Sequence, residues 1–564
     1  MRRNYFLLSI LLIISSSLIN VGCKEYSTKS LSVEKAGAEL ILPEQPDSSQ
    51  IASVVQASRI WGFAKYHHPA FSSNSKNADA EYFSLLKKVL QAPDTIQNKI
   101  FAEWIASLGL LTERNRNNEK LETFNDFKWI TDSIQLGKVL SQTLLELRKA
   151  DPGENCYVTQ TPTNVSFIEP KYTDIPEDDV AYKLLGVAKF WNAIDSYSPN
   201  RNLTDRPWND ILIDYITLAF DRSINFPTLY SRMVSELCDT HVNSWFIPIF
   251  GGRFIPIICR FAEERLFVVD TCTLVANNFR VGDEIILIDS LRPMERLTKL
   301  SPYIPHSNPS ALLRDGSYAT LLTPKDKVWI EYLRDGEIHK TTLSSIDSEK
   351  FIGRIYSSLY SSVKPKFEEV ADSIACIRIN GLTCADELDL GEFLNSYNKL
   401  IIDLRAYPAE YNVINELLPK YFFSQSRKAI EVLLPQANYP GTFIRLPELT
   451  KQSFTPNKLF KGQIVLLVNS CTQSMSEYFT MLLQTIPGVI TMGSQTAGAD
   501  GNVTRIQLPY AAFNLTGLGV CYPDGINAQR NGVKIDIVIE PSAKGMIYGE
   551  DEQLQAAINY LKGC

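Results

Sequence analysis

The run Ile464-Val465-Leu466-Leu467-Val468-Asn469, followed by Ser470-Cys471-Thr472-Gln473-Ser474-Met475-Ser476-Glu477-Tyr478-Phe479, decides how the chain is read. Its first part is almost wholly apolar and rich in β-branched residues, which suits a strand buried on both faces, most simply a parallel one. The next residues are small and polar. Beyond them Phe479, Leu482 and Leu483 recur on one helical face. A serine-rich corner between a buried strand and a helix N-terminus exposes a hydroxyl, and the free N–H groups of the first turn can hold developing negative charge. The same corner also suits a plain helix cap at Ser474 or Ser476. Downstream, Gly488 to Gly493 reads as a second strand and Gln495 to Gly501 as a loop.

Around this stretch lie 564 residues with 45% hydrophobic content, too many for one ordinary domain, so three or four are expected. The net charge of −7 and the lack of a basic stripe or nucleic-acid motif speak against nucleic acid as a partner. At the N-terminus, Arg2-Arg3 precede an apolar run from Tyr5 to Ile13, and Val21-Gly22-Cys23 ends a loose lipobox. We read residues 1–22 as a secretory signal, Cys23 as a lipidated first residue, and residues 23–48 as a polar tether. That assignment places the protein in the cell envelope, held to the membrane by a lipid anchor. Asn20 departs from the usual apolar lipobox residue, and a plain signal peptide with an incidental cysteine is the alternative. No other segment reads as a membrane span. The ten cysteines form no Cys-x-x-Cys pair and no disulfide framework; most suit buried, small apolar positions.

Asp47-Ser48-Ser49 open a helical pattern that runs to His67-His68-Pro69, where proline stops it. A second such pattern runs from Ala181 to Tyr197, before Pro199. Trp61 and Trp191 stand at the same spacing from their closing prolines, so either a helical unit is duplicated or two unrelated helices share a stop signal. These units are placed at residues 49–150 and 151–250, with the Pro- and Thr-rich stretch Asp151 to Asp179 as the link. Adjacent His67 and His68 point about 100° apart on a helix and lack a companion ligand set, so no metal or other cofactor is expected. His241 follows an amphipathic helix and opens an apolar run from Trp245 to Phe250, read as a strand.

Thr472-Gln473-Ser474-Met475-Ser476-Glu477 resembles the nucleophile motif of the tail-specific (C-terminal-processing) serine peptidases, which include tricorn-core and retinoid-binding-protein-like branches. Gly493-Ser494-Gln495-Thr496-Ala497-Gly498 is similar to the family's Gly-Glu-x-Thr-x-Gly loop, with Ser494 in place of the Glu. Tyr522-Pro523-Asp524-Gly525, Gly532-Val533-Lys534-Ile535-Asp536-Ile537 and Asp551-Glu552-Gln553-Leu554 match later landmarks in order. The resemblance implies that Ser474 attacks a peptide carbonyl. Leu237-Cys238-Asp239-Thr240-His241-Val242 resembles the Leu-x-Asp-x-His-x segment of histidine-using members, which implies His241 as base. Many members carry a lysine in a Gly-Lys-Gly segment, where this chain has Ala499. Backbone N–H groups of Met475 and Ala409 would hold the oxyanion, Ala409-Glu410 standing where the family has Gly-Gly after Asp403-Leu404-Arg405. Thr240 and Gln529 would support the base, Gln529 replacing the tricorn branch's distal Glu.

The implied fold is α/β: a crotonase/ClpP-like catalytic core at 351–564, a PDZ-like β module at 251–350, and the N-terminal helical units. Within the module, Val328 to Leu333 and Ile338 to Leu343 are predicted to pair across the turn Asp335-Gly336. Such modules bind extended C-terminal peptides by strand addition, although a β domain that only shapes the cleft fits the same pattern. The expected activity is hydrolysis of peptide bonds near polypeptide C-termini. The alternative is a peptide-binding lipoprotein of the same fold without turnover.

Overall fold

The computed structural model describes Gly37 and residues 40–114, 121–172, 175–242, 251–271, 278–348, 364–449 and 459–563. The signal segment, Cys23 and the run from Trp245 to Phe250 lie outside these residues. Among the described residues no helix is long and apolar enough to cross a membrane.

The helix Ser48–His67 begins at Asp47, whose carboxylate accepts from Gln50 N–H while the Gln50 side chain caps Asp47 N–H. It packs against the helix Val180–Tyr197 so closely that a Cβ on Gly62 would lie 2.0 Å from the Asn192 side chain. The two units repeat one device. The Trp61 indole N–H donates to Ala78 O at 2.7 Å, and the Trp191 indole N–H donates to Trp208 O at 2.7 Å. Each acceptor lies 17 residues on and starts the next helix, Ala78–Leu90 or Trp208–Ala219. A shared spacing with a shared bond favours duplication over coincidence.

Both units share one hydrophobic core. The stretch read as a link contributes the hairpin Val158–Gln160 and Val165–Phe167 and the fully buried Glu169. Glu169 pairs with Lys65 and with Lys189 Nζ at 3.0 Å, and Lys189 also reaches Asp79 at 2.6 Å. Two buried cations thus meet two buried carboxylates, and desolvation is offset only because all four are present.

The next unit is a five-stranded antiparallel sheet in the order 337–344, 327–334, 284–288, 265–271, 257–262. The predicted hairpin forms, with Arg334 opposite Glu337 and with Asp335 and Gly336 both at positive φ, as a tight two-residue turn requires. The β-rich pattern concealed two helices, Pro293–Leu300 and Pro309–Ala319, each opened by proline at its first turn.

The last region holds a six-stranded sheet in the order 367–371, 374–378, 399–403, 463–468, 490–493, 537–538, parallel except for its first pair. Ile464 to Val468 occupy its middle, buried on both faces as their composition demands. A separate hairpin, Val503–Gln507 with Ala512–Thr516, leaves this region and packs Ile506, Leu508, Phe513 and Leu515 into the core of the helical units.

Candidate active site

The strand Gln463–Val468 feeds the six-residue corner 469–474 into the helix Met475–Leu483. Ser474 sits at the turn with φ +53° and ψ −118°. For a residue with a Cβ this conformation costs about 1–3 kcal/mol, and surrounding bonds must hold it. Ser474 N–H donates to Ala499 O at 2.9 Å, and also faces Glu477 Oε2 at 3.2 Å. Glu477, fully buried, additionally accepts from Thr496 Oγ1, Gly498 N–H at 2.8 Å and Ala499 N–H at 3.0 Å. One carboxylate therefore ties the corner to the following loop, while burial pushes its pKa upward against those donors.

Burial raises the phenol pKa of Tyr407 on the neighbouring loop, and Ser474 and Met475 N–H are among the groups that act against that shift. Nearby Asp500 is 4% exposed, its Oδ2 has no partner, and burial followed by Glu477 drives its carboxyl well above the usual range.

His241 is held from the opposite side of the loop Thr496 to Ala499. Its Nδ1 lies 2.8 Å from Thr516 Oγ1, and Thr516 Oγ1 lies 2.9 Å from Asp239 Oδ1. Asp239 also accepts from His241 N–H at 3.0 Å and Thr516 N–H at 2.7 Å. The carboxylate can only accept, so the Thr516 proton points to it and the Thr516 oxygen accepts from Nδ1–H. Nε2 is then the free lone pair, and it is buried without a partner. Burial lowers the imidazole pKa, Asp239 opposes that shift, and Arg314 adds to it. Arg314 is also anchored at the corner, donating to Ser470 O at 2.8 Å and Gln473 Oε1 at 2.9 Å.

Thr240 and Gln529, expected beside the imidazole, support it indirectly. Thr240 Oγ1 bonds Ser307 Oγ at 2.9 Å and Ala497 O at 3.3 Å. Gln529 Nε2 reaches Asp239 Oδ1 at 3.3 Å. The direct partner is Thr516, 275 residues away in sequence, delivered by the hairpin that docks on the helical units. Asp239 stood in the quoted segment, but its carboxylate role needed Thr516 to become visible. Ala409 lies at an exposed position on the loop after Asp403. His67 and His68 are structural: His67 Nδ1 bonds Phe63 O, and His68 Nδ1 accepts from Ala70 N–H to cap the next helix. Among the described residues no group of three or more His, Cys, Asp or Glu is arranged to hold a metal ion.

Residues 373–539, which carry the corner and its loop, match the family model described as peptidase family S41. That stretch is similar to the S41 peptidases. Mature CPAF complexed with lactacystin superposes with a TM-score of 0.52 at 13% identity, covering 68% of this chain and 97% of that one. Mature CPAF alone gives 0.51 at 13%, covering 68% and 96%. The photosystem II D1 C-terminal processing protease gives 0.36 at 13%, covering 66% and 97%. The CPAF likeness shows a shared α/β fold that reaches well beyond the S41 domain into the rest of the chain. A search of curated proteins by sequence found no match.

Proposed function

We propose that this protein is an exported serine endopeptidase of the tail-specific type, with Ser474 as nucleophile and His241 as base. The observation that carries this reading is the strained Ser474 corner at a helix N-terminus. A hydroxyl held at that cost at a helix N-terminus suits acyl transfer better than simple capping. In the reaction, Ser474 Oγ attacks the peptide carbonyl and its proton passes to His241 Nε2. Met475 N–H binds the oxyanion, and His241 returns the proton to the leaving amine. Water, deprotonated by His241, then releases the acyl group.

The five-stranded module serves as a PDZ-like reader of polypeptide C-termini, with the free carboxylate as its mark. Cys23 carries the lipid anchor, which would keep the enzyme at the cell envelope. A second reading, peptide binding without turnover, draws on His241 Nε2, which is buried without a hydrogen-bond partner and so is not bonded to Ser474.

The test is labelling with a fluorophosphonate probe. Wild type is expected to label and Ser474→Ala is not. No labelling of wild type at any pH favours the binding reading; labelling that persists in Ser474→Ala overturns the nucleophile. Separately, equal affinity of the protein for free-acid and amidated peptides would remove the C-terminal reader, and a Cys23→Ala chain that stays membrane-bound would remove the anchor.

A further inference from the structure

A cleft of about 1040 Å³ lies between the hairpin Val158–Gln160 with Val165–Phe167 and the turn that joins the antiparallel strands Lys428–Pro435 and Thr442–Leu449. That volume is at the top of the range for a small-ligand pocket and suits a segment of chain. One wall is residues 151–156 and 158–160, and the other is residues 436–439. The charged residues that line it, Asp151 and Glu154, are both acidic and exposed. Val158, Thr159 and Gln160 all line it. Successive strand residues point to opposite faces, so a cleft that meets three in a row runs along the strand's edge. Among the described residues this strand pairs only with Val165–Phe167. Ile168 N–H donates to Tyr157 O and Thr161 N–H to Asn164 O, both at 2.9 Å, so residues 157, 159 and 161 turn their backbone groups towards that partner. Those of Val158 and Gln160 face the other way. Asn155 Oδ1 takes the Tyr157 N–H at 2.9 Å and the Val158 N–H at 3.1 Å, which starts the strand. The Val158 carbonyl and both backbone groups of Gln160 remain without a hydrogen bond among the described residues. Such an edge is a template for another strand.

We propose that this cleft is an exosite, which holds an extended, basic segment of the substrate polypeptide by adding it as a strand to Val158–Gln160. That the occupant is a substrate rests on the peptidase reading above. The added strand donates N–H groups to Val158 O and Gln160 O and accepts from Gln160 N–H. Asp151 and Glu154 face its lysines or arginines across the mouth. The Gln160 side chain bridges the two walls, donating from Nε2 to Pro435 O at 3.2 Å and accepting from Ala437 N–H at 3.0 Å. The cleft is therefore held at a fixed width before a ligand arrives, which lowers the cost of binding. The inner strand is bonded in turn to the hairpin that delivers Thr516. Asn164 Nδ2 donates to Val503 O at 2.8 Å, and Thr504 Oγ1 donates to Val165 O at 2.6 Å. A chain gripped here is tied to the element that holds the His241 imidazole. The grip lies outside the five-stranded module and needs no free carboxylate.

The probe is a fluorescent peptide of three Lys-Thr-Val-Thr repeats, acetylated and amidated so that no terminal carboxylate is offered. Its binding to the full Ser474→Ala chain is read by anisotropy, so that turnover does not consume it. Gln160→Ala removes the side chain and keeps the backbone N–H. Gln160→Pro removes both, at no cost in ladder bonds because that N–H faces the cleft. Binding is expected to be roughly tenfold weaker in Gln160→Pro than in Gln160→Ala. The same peptide with Glu for Lys should bind roughly tenfold more weakly than the Lys form at low salt. Hydrogen exchange at the Gln160 amide should slow when the Lys peptide is added. Equal binding by the two variants, or unchanged exchange, overturns the strand addition; equal binding of the Lys and Glu peptides overturns the basic ligand. Should Gln160→Pro not fold, the Lys peptide with methylated backbone nitrogens is offered to the Ser474→Ala chain, and undiminished binding overturns the proposal. Fluorophosphonate labelling of wild type separates the two readings. Unlabelled wild type that still grips the peptide through Gln160 defeats the peptidase reading and leaves the cleft as a binding site, whereas labelled wild type with equal binding by the two variants defeats this inference alone.

Discussion

The two halves of the candidate site are assembled in opposite ways. The Ser474 corner is local: a strand, a tight corner and a helix between Gln463 and Leu483, closed by Glu477 and the loop Thr496 to Ala499. The His241 side is assembled from distant pieces. Its imidazole depends on Thr516 from a hairpin seated in the helical units, and its neighbours Ser307 and Arg314 come from the β module. A local corner can keep its geometry while domains shift. A composite base is correct only when three regions are docked together.

This contrast predicts different responses to damage. The largest effect is expected from His241→Ala, which removes the proposed proton acceptor and leaves the corner intact. Peptide hydrolysis should fall by about 10²–10⁴, while the melting temperature changes little. Full activity in that variant would discard the base. Glu477→Ala attacks the other half. It strips the acceptor from the Thr496 hydroxyl and from the Gly498 and Ala499 N–H groups, and stability measured by denaturant titration should drop by about 2–4 kcal/mol. An unchanged midpoint would show that the corner holds itself.

Thr516→Val is a gentler cut. It keeps the shape and removes the oxygen that accepts from Nδ1–H, so the imidazole can take the wrong tautomer. We expect kcat to fall roughly tenfold to a hundredfold with KM retained. A Thr516→Ser chain should recover most of the rate, and equal activity of the Val and Ser variants would exclude a hydroxyl role. The smallest effect is a displacement along the pH axis. Burial and Arg314 lower the His241 pKa below its ordinary 6.5, outweighing Asp239. A lowered pKa keeps the base neutral to more acidic pH, so kcat/KM should rise with an inflection below 6.5. The same sign makes the folded chain lose stability as pH falls below 6.5, because the unfolded chain binds the proton more readily. Arg314→Met should move the inflection upward, and an inflection above 6.5 in wild type would contradict this electrostatic account.

What was legible in the sequence follows this division. An uninterrupted apolar run with small polar residues after it dictates a buried strand and an exposed hydroxyl, because burial and helix entry act on neighbouring residues. Proline stops and tryptophan spacing likewise marked the long helices of the helical units, and Asp335-Gly336 marked a hairpin whose two residues must take positive φ. The family likeness supplied His241 and the S41 assignment of the core, later matched over residues 373–539. The stretch from Asp151 to Asp179 reads only as a link, because composition records polarity and says nothing of a partner. Glu169 is buried there only because Lys65 and Lys189 meet it.

The sequence by itself determined the strand, the corner, the serine and the order of landmarks, since these depend on residues close along the chain. Tertiary structure alone decided that Thr516 holds the imidazole, that Asp239 orients Thr516, and that the loop carrying Tyr407 is bonded to the Ser474 corner. Each is a hydrogen bond between segments whose separation along the chain bears no relation to their separation in space. A threonine in a hairpin or a tyrosine before a proline looks ordinary until sheet register and domain docking choose its neighbour.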